Sequence, residues 1–259
     1  MASNSAALSY SAALSGSNAS SSTPKPPPPP VQQTQQQRPH PQDHRNGTPT
    51  THTKRPPSPH YRPQSTPANE PVYVLTLLTD QPHHDRMTAL RTHYFPRHLN
   101  KLDAHLTLFH ALPASHLERS IIPVLQTVAS ETSPFELRTA KAFRLKQGVA
   151  IAVAKHCGVV QVEAVHGRLR EAWGREGFLS EQDRGGCRVH YTVMNKVDEE
   201  GEVLRALEEV QRGFTSDVGR AEGLGLWRYD RGFWRWERGF AFTATRKEGE
   251  GEAGGEGTT

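Results

Sequence analysis

The chain has little with which to cross-link itself or hold a metal. Its 259 residues include only two cysteines, Cys157 and Cys187, and they stand far apart. That spacing excludes a zinc ribbon and a disulfide scaffold. None of the 14 histidines falls in a His-Glu-x-x-His or comparable metal signature. Long apolar runs are missing too: no stretch approaches the roughly 20 residues of a membrane-spanning helix. Basic residues are absent before Lys25, and the start lacks the apolar region of a signal peptide, so neither a secretory nor a mitochondrial leader is expected. Charge of one sign is scarce, with 31 Lys and Arg against 27 Asp and Glu, a net +4. Such a balance permits nucleic acid as a partner without requiring it. The expectation is a cytoplasmic protein with no membrane contact. Lys54-Arg55-Pro56-Pro57 is a weak basic cluster that allows a nuclear pool.

Core-forming residues are thin at both ends. Residues 1–70 are rich in Ser, Pro, Gln and Thr, with a proline run at Pro26–Pro30. Such a segment buries too little apolar surface to offset its ordering entropy and is expected to be disordered. The Gly- and Glu-rich residues 247–259 carry the same expectation. One domain remains, 71–246, of ordinary size for a single core. The proline run suits an SH3- or WW-type partner; a solvated tail with no dedicated partner is the alternative.

Within 71–246 two short stretches repeat one another: Ala104-His105-Leu106-Thr107-Leu108 and Val189-His190-Tyr191-Thr192-Val193. Each is a His-x-Thr tripeptide in an apolar, β-branched setting and reads as a strand. Side chains alternate along a strand, so His105 and Thr107 share one face, as do His190 and Thr192. One tripeptide alone is weak evidence, but the surroundings also repeat. Val72–Leu78 reads as a strand. Pro82 suits the first turn of a helix running to about Tyr94. After the first His-x-Thr strand, Ser115 and Glu118 form a capping box that opens another helix. The second half runs strand (Val149–Val153), helix (from about Val160), His-x-Thr strand, and a helix after Asp198. A final hairpin turns at Asp230-Arg231-Gly232. The halves, about 72–147 and 148–246, follow the same element order. The fold expected is α+β and bilobal, a pseudo-duplication with antiparallel sheets lining a central cleft and helices outside.

These residues resemble the two-histidine (2H) phosphoesterase superfamily, in its 2′-5′ RNA ligase-like branch. The likeness rests on His105-Leu106-Thr107-Leu108 and His190-Tyr191-Thr192-Val193. Gly148–Ile151, Leu179–Arg184, Asn195–Val197 and Gly225–Tyr229 support it, and it covers 71–246. The resemblance implies an enzyme that opens 2′,3′-cyclic phosphates, or cleaves or joins 2′-5′ links, on RNA ends or small nucleotides. It implies no metal and no cofactor. Some members bind nucleotides with little turnover, so a nucleotide- or RNA-binding module of the same fold is the alternative.

The chemistry needs an acid and a base. An imidazole with an unperturbed pKa of about 6.5 can be either near neutral pH. For hydrolysis the expectation is His190 as base and His105 as acid, with the reverse left open. Thr107 and Thr192 would donate to the non-bridging oxygens. Lys196, at an even offset from His190, is expected on the same face, pairing with phosphate or in a surface ion pair. Tyr73 and Phe109 are candidates for base stacking, with core packing the expected fate of Phe109. The hairpin interleaves Trp227, Tyr229, Trp234 and Trp236 with arginines. It is either a stacking strip or an edge whose aromatic face packs on a helix, and the second is the expectation. His110, at an odd offset from His105, should point away from the cleft. A monomer is expected.

Overall fold

An apolar stretch with no charged residue is the pattern of a strand covered on both faces, and Val72–Thr79 (β1) is buried along its whole length. The computed structural model describes residues 70–245. The tails expected at 1–70 and 247–259 lie outside the described residues, apart from Glu70. After β1 come α1 (Gln81–Tyr94), β2 (Leu106–Pro113), α2 (Ile122–Ser130), β3 (Phe135–Leu145), β4 (Gly148–Val153) and α3 (Val159–Glu176). β5 (His190–Met194), α4 (Glu200–Gly213), β6 (Val218–Asp230) and β7 (Phe233–Ala241) complete the order. No helix among the described residues is long and apolar enough to cross a membrane.

Every strand pair is antiparallel. The strands form a circuit, β1–β2–β5–β4–β3–β6 and back to β1, with β7 outside β6. Long β6 closes the circuit. Its first residues, Val218–Ala221, pair with β3, and Ala221–Arg228 pair with β1. The circuit is pinched between β2 and β5, which share one partner pair, Leu106 with Tyr191. Two sub-sheets follow, β2-β1-β6-β7 and β5-β4-β3. They line a central cleft, with the helices on the outer faces. The fold is bilobal and α+β. The sequence halves 72–147 and 148–246 exchange strands: β1 and β2 join β6 and β7, while β3 joins β4 and β5. Each sub-sheet is a set of strands brought together in space, and the exchange leaves fewer open edges than two separate sheets would.

The helices follow from local signals. Asp80 caps α1, its carboxylate accepting the His83 N–H at 3.3 Å, and Pro82 sits in the first turn. α3 buries Val162, Val165, Leu169 and Trp173 at helical spacing. The Trp173 ring meets Phe109 and Phe178. α4 buries Val203, Ala206 and Val210. The Ser115–Glu118 capping box does not form. A 3₁₀ turn at Ala114–His116 and a π turn at Leu117–Ile121 precede α2, none of the three with a side-chain cap. The Ser115 N–H donates instead to the Glu70 carboxylate. Regular helix starts only at Ile122, where Pro123, lacking an N–H, suits the first turn.

Candidate active site

The pinch between the lobes is where the two His-x-Thr stretches meet. Leu106 and Tyr191 face each other across β2 and β5, and both side chains are buried. Extending that antiparallel register by one residue sets His105 opposite Thr192 and Thr107 opposite His190. Alternation turns all four away from the buried side. A groove of about 360 Å³ opens there, lined by His105, Thr107, His190 and Thr192. On the far side the Tyr191 hydroxyl lies 3.1 Å from His83 Nε2, whose Nδ1 lies 2.5 Å from Asp217.

The two histidines are held alike. His105 Nδ1 is 2.8 Å from the Asp103 carbonyl, and His190 Nδ1 is 2.7 Å from the Arg188 carbonyl. A carbonyl only accepts, so Nδ1 carries the proton in both rings and Nε2 remains for chemistry. Burial, then the Arg91 guanidinium, pushes His105 down to about 4. Burial also lowers His190, with the Arg188 charge acting in the same direction. Arg91 is itself buried. It donates through Nε to Asn100 Oδ1 and the Leu102 carbonyl, each at 3.0 Å, and through Nη1 to the Thr192 carbonyl at 2.6 Å. It thereby ties the segment before His105 to β5.

Four more groups beyond the two His-x-Thr motifs line the groove. His110 is the first, and it corrects the expectation that it points away. Thr76 pairs with Thr107 but Leu75 pairs with Phe109, so Leu108 is an extra residue in β2. Such a bulge reverses the alternation and returns His110 to the groove. A second register shift lies between Phe109 and Leu112, and such a shift leaves N–H groups without ladder partners. Buried Asp183 takes them, accepting the His110 N–H at 2.9 Å and the Ala111 N–H at 3.0 Å. It also accepts from Ser180 Oγ at 2.9 Å, and its Oδ1 lies 3.3 Å from His110 Nδ1. Burial opposes the Asp183 charge, but the bonds from His110 and Ser180 outweigh it, and its pKa is lowered.

Arg188 is the second, its guanidinium 4.1 Å above the Phe143 ring, beside His190. Its even offset from His190 was the available sequence signal. The third is Trp234, whose ring centroid lies 4.4 Å from that of His105. The fourth, His166, stacks on Phe109 and is pushed down to about 4 by burial and then Arg170. Phe109 is fully buried, as expected of a core residue. Cys187 also faces the groove, but burial pushes its thiol up to about 12, which keeps it protonated and unreactive.

Two sequence candidates are elsewhere. β5 ends at Met194, and Lys196 has a left-handed backbone, φ 63°. The even-offset argument therefore stops short of it, and Lys196 does not line the groove. Tyr73 is a buried core residue opposite Leu112 and Arg228, three positions from groove-facing Thr76 and so on the other face of β1. Among the described residues no group of three or more His, Cys, Asp or Glu is placed to hold a metal.

Arg188→Ala removes an exposed cation from the groove wall. Were the groove to hold a phosphodiester, as the resemblance implies, KM should rise by about tenfold, the size of one charge-assisted hydrogen bond. The substitution should also move the alkaline limb of kcat/KM to higher pH, because the lost charge had lowered His190. An unchanged limb would detach Arg188 from His190.

The 2'-5' RNA ligase superfamily matches this chain over residues 79–233. Among solved structures the chain is similar to E. coli LigT complexed with 3'-AMP, at 16% identity and a TM-score of 0.48. It is similar to E. coli LigT complexed with NADP+, at 16% and 0.46; both likenesses cover 68% of this chain and 99% of the other. TT0787 of Thermus thermophilus gives 12% identity and 0.48, covering 68% of this chain and 100% of that one. No curated protein matches it. With the superfamily matched over more than half of its length, the chain belongs to the 2'-5' RNA ligase superfamily.

Proposed function

We propose that the chain is a metal-independent phosphodiesterase. It opens 2′,3′-cyclic phosphates, or cleaves or joins 2′-5′ links, on RNA ends or small nucleotides. The observation that carries this reading is the matched pair of imidazoles in one groove, each with Nδ1 bound to the carbonyl two residues earlier. In hydrolysis, Nε2 of His190 takes a proton from water as its oxygen bonds to phosphorus. The bond to the ribose oxygen breaks, and Nε2 of His105 supplies the proton that this oxygen needs. The Thr107 and Thr192 hydroxyls donate to the non-bridging oxygens, where charge gathers. Trp234 favours His105 as the acid: a base stacked on that ring brings its ribose to the His105 side. Joining is the reverse, with a ribose hydroxyl in place of water.

The reaction needs one imidazole neutral and one protonated. Both are lowered in the fold, so the singly protonated pair predominates below their ordinary value of about 6.5. The test uses the full chain in excess EDTA with a 2′,3′-cyclic mononucleotide. Turnover is expected, with kcat/KM greatest below about pH 6.5 and falling about tenfold per unit well above the higher apparent pKa. A plateau reaching pH 8 would remove the pair as acid and base. Activity lost in EDTA and restored by a divalent ion would remove the metal-independent reading.

A further inference from the structure

The two His-x-Thr strands are held firmly in their own lobes and loosely to each other. β2 pairs along its length with β1, and β5 with β4, but β2 and β5 share the single pair Leu106 with Tyr191. His105 itself precedes β2, in the irregular stretch that starts at Asn100. The ladder therefore fixes neither the position of that ring nor its distance from His190. Helix α1 packs on the side away from the groove, where Tyr191 points. It buries three residues, His83, Met87 and Arg91. They recur at every fourth position and form one stripe. The inner stripe of a helix is ordinarily apolar, yet two of these three are polar.

Each polar member of the stripe binds a motif. His83 meets the hydroxyl of Tyr191, the residue between His190 and Thr192. Its ring rests on β6, where a Cβ at Gly219 would collide with the imidazole. Asp217 anchors the other ring nitrogen, and Arg86 donates to Asp217 through Nε at 2.7 Å. Arg91 reaches both motifs. Its Nη1 donates to the Thr192 carbonyl, and its Nε to the Leu102 carbonyl, three residues before His105. On the same helix Thr88 Oγ1 accepts the Ala104 N–H at 3.1 Å. α1 thus holds the chain on both sides of Asp103, whose carbonyl orients His105. The Arg91 guanidinium lies 4.0 Å above the Phe95 ring, and among the described residues no carboxylate forms an ion pair with it. Burial pushes its pKa down to about 10. A buried cation without a counter-ion is costly where packing is the only task. A planar fork of donors is suited to holding two carbonyls at a fixed distance and direction.

We infer that α1 is a strut that sets the separation of the two imidazoles, and that Arg91 is its positioning residue, acting through the Leu102–His105 segment and β5 without touching substrate. The inference rests on the phosphodiesterase reading. Arg91 does not line the groove, so its effect falls on the rate of the step and not on binding. Two rings that act on one phosphorus tolerate little displacement: a shift of about 1 Å can cost about a hundredfold in rate. Arg91→Lys separates geometry from charge. It keeps the positive charge that, after burial, helps hold His105 down, but a single ammonium does not span the two carbonyls as the fork does.

The test uses the full chain and a 2′,3′-cyclic mononucleotide. In Arg91→Lys kcat is expected to fall by about a hundredfold, with KM within about twofold of the wild type. Thr88→Val releases only the Ala104 N–H. It should lower kcat less, again at constant KM, and it carries the test if Arg91→Lys does not fold. A lower melting temperature with the kcat and KM of the wild type would overturn the strut and leave Arg91 a packing residue. A raised KM at unchanged kcat would overturn it too. Nitrogen–proton NMR spectra of the imidazoles supply a readout that needs no turnover. In the wild type both rings should show the Nδ1–H tautomer. In Arg91→Lys the His105 ring should become a mixture of tautomers, because the Asp103 carbonyl is no longer held in place, while His190 keeps its own. That mixture, with no turnover by the wild type, keeps the strut and removes the enzyme. Turnover by the wild type, with kcat and the His105 tautomer both unchanged in Arg91→Lys, keeps the enzyme and removes the strut.

Discussion

His105→Ala or His190→Ala is expected to lower kcat for the proposed opening of a 2′,3′-cyclic phosphate by about 10²- to 10⁴-fold, and the double variant to fall little further. In the proposed mechanism acid and base act in one step, so losing either disables the step, and residues that act as a unit are far from additive. Stability should change little, because each ring is partly exposed and the bond removed is one Nδ1–H to a backbone carbonyl. That combination, a large loss of rate with a nearly unchanged melting temperature, is the signature to seek. The two variants can also be told apart. A nucleoside phosphodiester with a nitrophenyl leaving group needs no acid, since nitrophenolate departs unaided. His105→Ala should lose far less on it than on the cyclic phosphate, whereas His190→Ala should lose as much on both. The opposite pattern would exchange the roles; no loss in either variant would take the chemistry out of this groove.

Asp183→Ala costs roughly 3–5 kcal/mol of stability, the range for breaking a buried charged network by deleting one partner. Its carboxylate accepts the His110 and Ala111 N–H groups that the second register shift of β2 releases, and a hydroxyl from Ser180. With it gone, two backbone donors lie in the interior without a partner. Thermal unfolding should show a fall of roughly 10 °C. Asp183→Asn should fall in between, since one oxygen can still accept. The pH dependence has a definite sign. Asp183 is more acidic in the fold than in the unfolded chain, so its contribution is complete above the unfolded pKa and is lost as pH falls through the folded one. The gap between wild type and Asp183→Ala therefore narrows toward acid. A deficit below about 1 kcal/mol would mean that water or another group satisfies the bulge. Because the same carboxylate holds His110 at the groove wall, the surviving activity of Asp183→Asn also reports whether the bulge positions the substrate.

The features legible in the sequence are those set by local rules. Alternation along a strand places His105 with Thr107 and His190 with Thr192, whatever surrounds them. Helical spacing picks out Val162, Val165, Leu169 and Trp173, and Pro82 marks the start of α1. The repeated element order and the paired tripeptides were enough for the fold and the superfamily. Lys196 shows where such rules stop. Parity counts only while the strand lasts, and the chain takes a left-handed turn two residues past its end.

What the tertiary structure alone decided is which segments meet, and where the alternation breaks. Nothing near Leu108 in the sequence announces a bulge. The irregular stretch from Leu108 to Ala111 is tolerated because Asp183, 72 positions from Ala111, is folded against the released His110 and Ala111 N–H groups. His110 joins the groove for that reason only. Trp234 reaches His105 because β6 bends to pair with both β3 and β1, carrying β7 to the cleft side of the sheet. Periodicity reports a residue's face relative to its own strand. The identity of its neighbours depends on pairing between distant strands, whose hydrogen bonds form through the backbone and leave no residue-specific mark in the sequence.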